Sequence, residues 1–189
     1  MPEPRHRRDD AQQAPPAGAG RPEEDPVAGA RAICLRMLAS GPRTRVQLAH
    51  ALERRGIDED VAESVLGRFS EAGLIDDTAF AEAWVDSRHA GRSLGRERLA
   101  AELRQRGVDE GTVRGAVGDL SPEQEEATAR SLVRRKLDST RGKADEARVR
   151  RVMGLLARKG YSAKLAYRLV REELEAEGSA VELPDSDLE

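Results

Sequence analysis

The segment LERRGID, Leu52 to Asp58, contains the end of one predicted helix and the start of the next. Glycine readily adopts the left-handed conformation that follows a helix, and an Asp or Ser side chain caps the first turn of the following helix. The same pattern returns as LRQRGVD, Leu103 to Asp109, and as LARKGYS, Leu156 to Ser162. Three such signatures, spaced about fifty residues apart, predict a tandem array of similar helical units.

Apolar residues fall at helical spacing on both sides of each signature, and a further amphipathic stretch leads each unit. Each unit is therefore predicted to contain three helices. The upstream residues are Leu48 and Leu52, Leu99 and Leu103, and Val152 and Leu156. The downstream residues are Val61, Val65 and Phe69, then Val113 and Val117, then Leu165 and Leu169. The leading stretches contain Ile33, Met37 and Leu38, then Phe80, Trp84 and Val85, then Leu132, Val133 and Leu137. The predicted fold is all-α, with three tandem three-helix repeats forming an elongated, curved array.

Two helix starts carry a stronger signal, the capping box. In this motif a Ser or Thr and a Gln three residues later bond each other's backbone N–H groups. The two pairs are Thr44 with Gln47, and Ser121 with Gln124. Pro122 occupies the first helical position after Ser121, where its missing N–H costs nothing.

The chain is predicted to divide into five segments. The three repeats span residues 27–75, 76–120 and 121–178. Residues 1–26 and 179–189 are rich in small, polar and charged residues and lack apolar periodicity, so they bury too little apolar surface to fold. We expect two disordered tails, of which the second is acidic.

Composition agrees with a helical, intracellular protein. Aromatic residues make up only 3% of the chain and charged residues 35%, whereas a large sheet core needs more aromatic and β-branched bulk. The single cysteine, Cys34, cannot form an intramolecular disulfide, which fits a reducing compartment. No stretch approaches the roughly 18 apolar residues of a membrane span. We expect a cytoplasmic protein that does not contact membranes.

The net charge of −3 conceals an uneven distribution. Between Arg130 and Arg171 there are 14 Lys and Arg residues against three acids, whereas residues 172–189 contain eight acids and no basic residue. This distribution predicts a segment that faces a polyanion, followed by an acid-rich end. For any single helix, a solvated surface explains such charge equally well, and codon usage explains much of the preference for Arg over Lys.

Residues able to support catalysis are scarce. His50 and His89 have no Cys or second His at metal-ligand spacing, and Cys34 lies on an apolar stripe, where a core position is the better interpretation. Asp76 and Asp77 could hold a metal or act as acid and base, but acids at a helix start more often serve as caps. We therefore predict a protein with no catalytic residues, no metal and no cofactor.

The basic side chains are the remaining functional candidates. Rows of arginines on one helix face, such as Arg130 with Arg134 and Arg151 with Arg158, would follow a phosphate backbone without reading its sequence. No aromatic residue lies between them, which argues against base stacking on single strands. The candidate contact residues are Arg88, Arg92, Arg96, Arg130, Arg134, Arg135, Lys136, Arg148, Arg150, Arg151, Arg158 and Lys159.

The stretch GLIDDTAFAEAWVDSR, Gly73 to Arg88, resembles the second unit of the RecX family of regulatory proteins. That family carries Leu-Ile-Asp-Asp, Phe-Ala, Trp-Val and Arg at comparable spacing, followed by a run that ends Glu-Leu-x-x-(Lys/Arg)-Gly-(Ile/Val). Glu102 to Val108 matches this second run. The resemblance covers about residues 27–178 and is most specific in the second unit. Gln47 stands where the family often has Glu, but it still completes a capping box.

The resemblance implies a non-enzymatic regulator of the RecA recombinase. Such a protein lodges in the groove of the RecA–DNA filament and inhibits its recombinase, ATPase and coprotease activities, which links it to DNA repair, recombination and the SOS response. We expect a monomer that makes weak or filament-dependent contacts to the DNA backbone. Phe80 and Trp84 lie four residues apart on one helix face and are expected to anchor the core.

A sequence-specific helix-turn-helix transcriptional regulator is the alternative. Residues 43–75 alone resemble a winged helix-turn-helix domain, which normally continues into a β-hairpin. Here Asp77 leads directly into another predicted helix, and the same unit repeats. The third helix of the first unit also offers mainly Glu, Ser and Arg68 for contacts to base edges. These features favour the filament regulator.

Overall fold

A computed structural model describes residues 25–179, and these residues form nine α-helices. The helices are α1 (Pro26–Ala39), α2 (Arg45–Glu53), α3 (Glu59–Glu71), α4 (Asp77–Arg92), α5 (Arg96–Gln105), α6 (Glu110–Gly118), α7 (Pro122–Asp138), α8 (Asp145–Lys159) and α9 (Ala163–Ala176). No β-strand occurs within residues 25–179, so the predicted all-α fold is confirmed. The β-hairpin wing that the alternative requires after α3 is replaced by α4.

The three repeated signatures build the same turn. In each, a glycine with positive φ ends one helix, and an Asp or Ser side chain accepts a hydrogen bond from the first turn of the next. The glycines are Gly56 (φ 72°), Gly107 (φ 77°) and Gly160 (φ 81°). The capping residues are Asp58, Asp109 and Ser162. Both predicted capping boxes also form, one before α2 and one before α7.

Each three-helix unit buries an apolar core of its own. Three separate clusters lie within α1–α3, α4–α6 and α7–α9. Their fully buried side chains include Leu48, Leu52 and Leu66, then Leu99, Leu103 and Val113, then Val152, Leu156 and Leu169. All extensive helix–helix packing among the described residues lies within a unit. The molecule is therefore an elongated array of three small domains.

The division of the chain into five segments stays a prediction. Helix α1 begins at Pro26 and is capped by the Asp25 side chain, just before the proposed start of the first repeat. Apart from these two residues and Ser179, the two predicted tails lie outside the described residues. None of the described helices is both long and apolar enough to cross a membrane.

The first and second units meet where the start of α2 contacts the turn between α5 and α6. The hydroxyl of the fully buried Thr44 donates a hydrogen bond to the Arg106 carbonyl oxygen at 2.7 Å. The first backbone N–H of α2 donates to the Asp77 carboxylate at 2.9 Å. A Cβ atom at Gly107 would overlap the side chain of Val46. Gly107 therefore has two roles: its positive φ forms the turn after α5, and its lack of a side chain leaves room for Val46 at this junction.

The second and third units meet along two backbone segments. The N–H of Gly95 donates to the carbonyl oxygen of Lys159 at 2.8 Å, and the N–H of Glu97 donates to that of Gly160 at 3.2 Å. The hydroxyl of the buried Tyr161 donates to the carbonyl oxygen at the C-cap of α4 at 3.0 Å. A side chain at either glycine would overlap the opposing backbone. The close contact between the units therefore depends on both glycines.

Candidate polyanion-binding cleft

A cleft of about 760 Å³ opens between the second and third units, next to the contact between Gly95 and Gly160. The end of α4 and the start of α5 line one side of it, and α7 and α8 line the other. Its basic lining residues are Arg92, Arg98, Arg135, Arg158 and Lys159, and among the described residues Glu102 is its only acidic lining residue. Two separately folded units thus contribute cations to one cleft.

Within residues 25–179, three of these cations have no carboxylate partner. Among residues 25–179, no carboxylate lies within 4.0 Å of the guanidinium groups of Arg92, Arg135 or Arg158. By contrast, Arg98 pairs with the acidic residue of the cleft at 3.5 Å. The Lys159 ammonium donates to the Arg92 carbonyl oxygen at 2.5 Å, which holds it against the cleft wall. Because unpaired cations keep their charge available for an external anion, this cleft suits phosphate groups.

The basic surface continues from the cleft along α8. Arg151 is exposed and precedes Arg158 by seven residues, so the two side chains share a helix face. Arg150 is exposed beside it. Neither Arg150 nor Arg151 forms an ion pair within the described part of the chain. The row of cations predicted for α8 is therefore present and accessible.

Two of the candidate arginines on α7 form ion pairs with acidic side chains of α7 and α9. Arg130 pairs with Glu126 at 2.8 Å, with Glu172 at 2.7 Å and with Glu173 at 2.9 Å. Arg134 shares Glu173 at 2.8 Å. These hydrogen bonds raise the pKa of Arg130 above its ordinary value, and the bond to Glu126 has the largest effect. The network fastens α7 to α9, so these two charges are largely compensated inside the third unit.

Arg148 is a structural residue and not an exposed contact. It is only 6% exposed, and its guanidinium pairs with Asp145 at 3.0 Å and with Glu177. The hydrogen bond to Glu177 raises the pKa of Arg148, and burial opposes that shift. The inclusion of Arg148 among the contact candidates is therefore corrected, because a buried cation between two acids cannot reach an external phosphate.

The remaining candidates have mixed surroundings. Arg96 pairs with Glu125 at 3.0 Å and thereby joins the second unit to the third. The Arg88 guanidinium lies 4.1 Å from the centre of the Trp84 ring. Lys136 is partly buried in the last turn of α7. The structure thus gathers Arg92, Arg135, Arg158 and Lys159 into one site, and adds Arg98, which was not among the predicted candidates. In the sequence, Arg98 belongs to the same cluster of basic residues in the second unit as Arg92 and Arg96.

Three of the residues considered for catalysis, Asp76, Asp77 and His89, have structural roles. Asp76 caps α4 by accepting a hydrogen bond from the Ala79 N–H at 2.8 Å, and Asp77 forms the junction contact described above. The ring of His89 bonds the carbonyl oxygen before Gly95 and a hydroxyl of α7. Within residues 25–179, no group of three or more His, Cys, Asp or Glu is arranged to hold a metal ion.

Comparison with known proteins identifies the family. Three family models, described as the first, second and third three-helix domains of RecX, match residues 30–69, 76–117 and 123–170. The regulatory protein RecX of Thermobifida fusca is 67% identical over 175 residues, which cover 93% of this chain and 94% of that protein. The chain belongs to the RecX family of regulatory proteins. The resemblance inferred from Gly73 to Arg88 is thereby confirmed.

Other RecX proteins extend the comparison. The regulatory protein RecX of Streptomyces coelicolor is 57% identical over 166 residues, which cover 88% of each chain. A crystal structure of RecX from Lactobacillus salivarius has a TM-score of 0.74 and 18% identity, and the match covers 78% of this chain and 96% of that one. A second RecX crystal structure has a TM-score of 0.70 and 25% identity, and the match covers 78% of this chain and 72% of that one. The three-unit fold is therefore that of solved RecX structures.

Proposed function

We propose that this RecX-family chain binds the RecA–DNA filament and inhibits the recombinase, ATPase and coprotease activities of RecA. Through this binding it would modulate DNA repair, recombination and the SOS response in the cytoplasm. Membership of the RecX family supports the regulatory role. The basic cleft between the second and third units is the observation that carries the proposal, because it offers unpaired cations to the phosphate backbone of a filament.

The cleft suits a filament of varying DNA sequence. Guanidinium groups that contact phosphates position a protein on nucleic acid but do not read bases. Arg92 comes from the second unit, while Arg135 and Arg158 come from the third, so a bound backbone would be held by two linked domains at once. An elongated body of three domains can also span neighbouring protomers of a polymer. The protein would act by occupying the filament, and no bond needs to be made or broken.

Removal of the free cations tests this function directly. A variant that combines Arg92→Ala, Arg135→Ala and Arg158→Ala should bind RecA–DNA filaments more weakly and with a flatter salt dependence. Each lost phosphate contact on single-stranded DNA lowers the slope of log affinity against log salt by about 0.7, so three contacts lower it by about 2. The measurement is fluorescence anisotropy of labelled protein on preformed filaments at several salt concentrations.

A matched variant separates the cleft from overall charge. Combining Arg31→Ala, Arg36→Ala and Arg54→Ala removes the same number of exposed, unpaired arginines from the first unit. This control should keep nearly the full salt slope, because none of its three residues lines the cleft. Equal losses in the two triple variants would show that binding depends only on net charge, and the cleft would then not be the site.

A further inference from the structure

A second surface feature, an apolar groove of about 420 Å³, lies between the first and second units. The end of α1 and the loop before α4 form one side, and one face of α4 forms the other. Its apolar lining includes Leu38, Leu74, Phe80 and Trp84. Leu74 is 50% exposed and, with the other apolar lining residues, forms one contiguous exposed apolar patch. The groove is distinct from the basic cleft, which lies at the other end of α4.

The aromatic floor of the groove is held rigidly. The rings of Phe80 and Trp84 stack with their centres 5.8 Å apart, and both side chains are only partly buried against the second core. Two guanidinium groups lie on the indole ring, that of Arg88 at 4.1 Å and that of Arg106 at 3.6 Å from its centre. The indole N–H donates to Glu102 at 3.1 Å. Because these contacts already fix the two rings, little side-chain entropy is lost when a partner binds against them.

Small residues leave room for a partner to approach α4. Ala79, Ala83 and Ser87 are exposed, lie four residues apart and line the groove beside Phe80 and Trp84. Such a row lets a second backbone pack closely against the helix. A flat, small-residue edge next to an aromatic floor is the geometry in which the apolar side of an amphipathic helix binds.

The charges at the rim indicate the chemistry of the occupant. Arg43 and Arg88 both line the groove, and neither has a carboxylate within 4.0 Å in the described part of the chain. The Arg43 Nε atom is buried and has no hydrogen-bond partner among residues 25–179. The one acid of the lining, Asp76, is already bonded to the first turn of α4. Two uncompensated cations beside an apolar floor are complementary to a carboxylate next to a bulky apolar side chain.

We infer that this groove is a protein-docking site that takes an amphipathic helical segment of the filament protein, with a bulky apolar side chain against Leu74 and Phe80 and a carboxylate at Arg43 and Arg88. The inference rests on the proposed function, since it assigns the protein partner to this groove and the phosphates to the cleft. Binding would then use two separate surfaces, one on each side of the second unit. Two weak contacts joined in one rigid body bind more tightly than either contact alone.

A single substitution at an exposed position tests the groove. Ala83→Glu places a larger, negatively charged side chain on the groove edge, where it should exclude the apolar side chain and repel the carboxylate. The affinity for RecA filaments, measured by anisotropy, should fall about thirtyfold, which is typical when a central interface contact is lost. Its affinity for bare single-stranded DNA should equal that of the control variant Ala101→Glu.

The matched control is Ala101→Glu, which makes the same change at an exposed position of α5 outside the groove. It should bind filaments as the unaltered protein does, apart from the common effect of one added charge. Leu74→Ser, which removes the exposed apolar side chain without adding charge, should also weaken filament binding. Circular dichroism and thermal unfolding establish that all three variants are folded.

The outcomes separate the two proposals. Unchanged filament binding by folded Ala83→Glu and Leu74→Ser would overturn the docking site while leaving the proposed function intact. A matching loss of bare-DNA binding by Ala83→Glu alone would assign the groove to nucleic acid and overturn the protein partner. Failure of the unaltered protein to bind filaments at all would overturn the proposed function and this occupant with it.

Discussion

Gly95→Ala should separate the second and third units and so weaken the basic cleft that they share. Gly95 has φ −81° and ψ 168°, a conformation that alanine adopts without strain. The new Cβ atom, however, would lie closer than 3.0 Å to the carbonyl group of Gly160. The substitution therefore acts mainly on the junction between the units, with a smaller cost at the N-cap of α5, where alanine is less favourable than glycine.

The expected size of the effect follows from the contacts at this junction. Two backbone hydrogen bonds cross it, from Gly95 and from Glu97, and each contributes about 1 kcal/mol. Forcing a methyl group into a closed contact costs about 1–3 kcal/mol, depending on how far the units move apart. We expect a loss of about 3 kcal/mol in the free energy of unfolding, measured by urea denaturation with circular dichroism. Affinity for filaments should fall in parallel, because the cleft cations come from both units.

Gly115→Ala is the matched control. Gly115 lies within α6, and a Cβ atom there meets no atom within 4 Å. Alanine is the better helix former by about 0.5–1 kcal/mol, so this variant should be slightly more stable and bind normally. A Gly95→Ala protein that stays within about 0.5 kcal/mol of the unaltered protein and binds filaments with the same affinity would show that this junction does not shape the cleft.

Three further predictions concern other contacts. Thr44→Val should lower the free energy of unfolding by about 2 kcal/mol, because the buried Arg106 carbonyl oxygen and the α2 cap lose their partner; an unchanged urea midpoint would contradict this. Arg168 and Arg130 lower the pKa of Glu126 from 4.5 to about 2, so its contribution to stability is complete above pH 4.5 and is lost as the pH falls towards 2. Glu126→Gln should therefore be less stable than the unaltered protein at pH 7, and thermal unfolding should show the difference shrinking between pH 4.5 and 2; a constant difference would contradict the ion pairs. Deletion of residues 180–189 removes four acidic side chains and should raise affinity for single-stranded DNA at low salt; equal or weaker binding would show that this segment does not oppose the polyanion.

Helix boundaries could be predicted from the sequence because their signals are local. Gly56 and Asp58 lie two residues apart, and each acts on backbone groups of its own turn. The box of Thr44 and Gln47 closes over three residues. Three copies of one signature then predicted the number of units, since each copy separates the second helix of a unit from the third. At these positions the local signals and the fold agree.

The pairing of the basic residues could not be predicted in the same way. Arg130 precedes Glu172 by 42 residues, and only the packing of α9 on α7 brings them together. Charge counts along the chain separated a basic third unit from an acid-rich end. In the structure, Glu172, Glu173 and Glu177 lie on α9 or at its C-cap and neutralise arginines of that unit. The free cations are therefore fewer than the sequence suggested.

The position of Trp84 also depends on tertiary packing. Helical spacing placed it on one face with Phe80, and a core position was the simplest expectation. The structure packs both rings against the second core but leaves them partly exposed, because the first unit meets the second at the start of α2 and leaves α4 uncovered beside the groove. Contacts between units are made by backbone atoms and single side chains, and such contacts leave no periodic pattern in a sequence.

If this chain restrains RecA by occupying its filament, as proposed, the DNA-stimulated ATP hydrolysis of RecA reports that occupancy. The measurement is a titration of the full chain into RecA on single-stranded DNA with excess ATP, followed by phosphate release. Hydrolysis should fall to a low plateau at or below one copy of this chain per RecA protomer. Hydrolysis that continues undiminished at saturating protein would contradict the proposed inhibition of RecA.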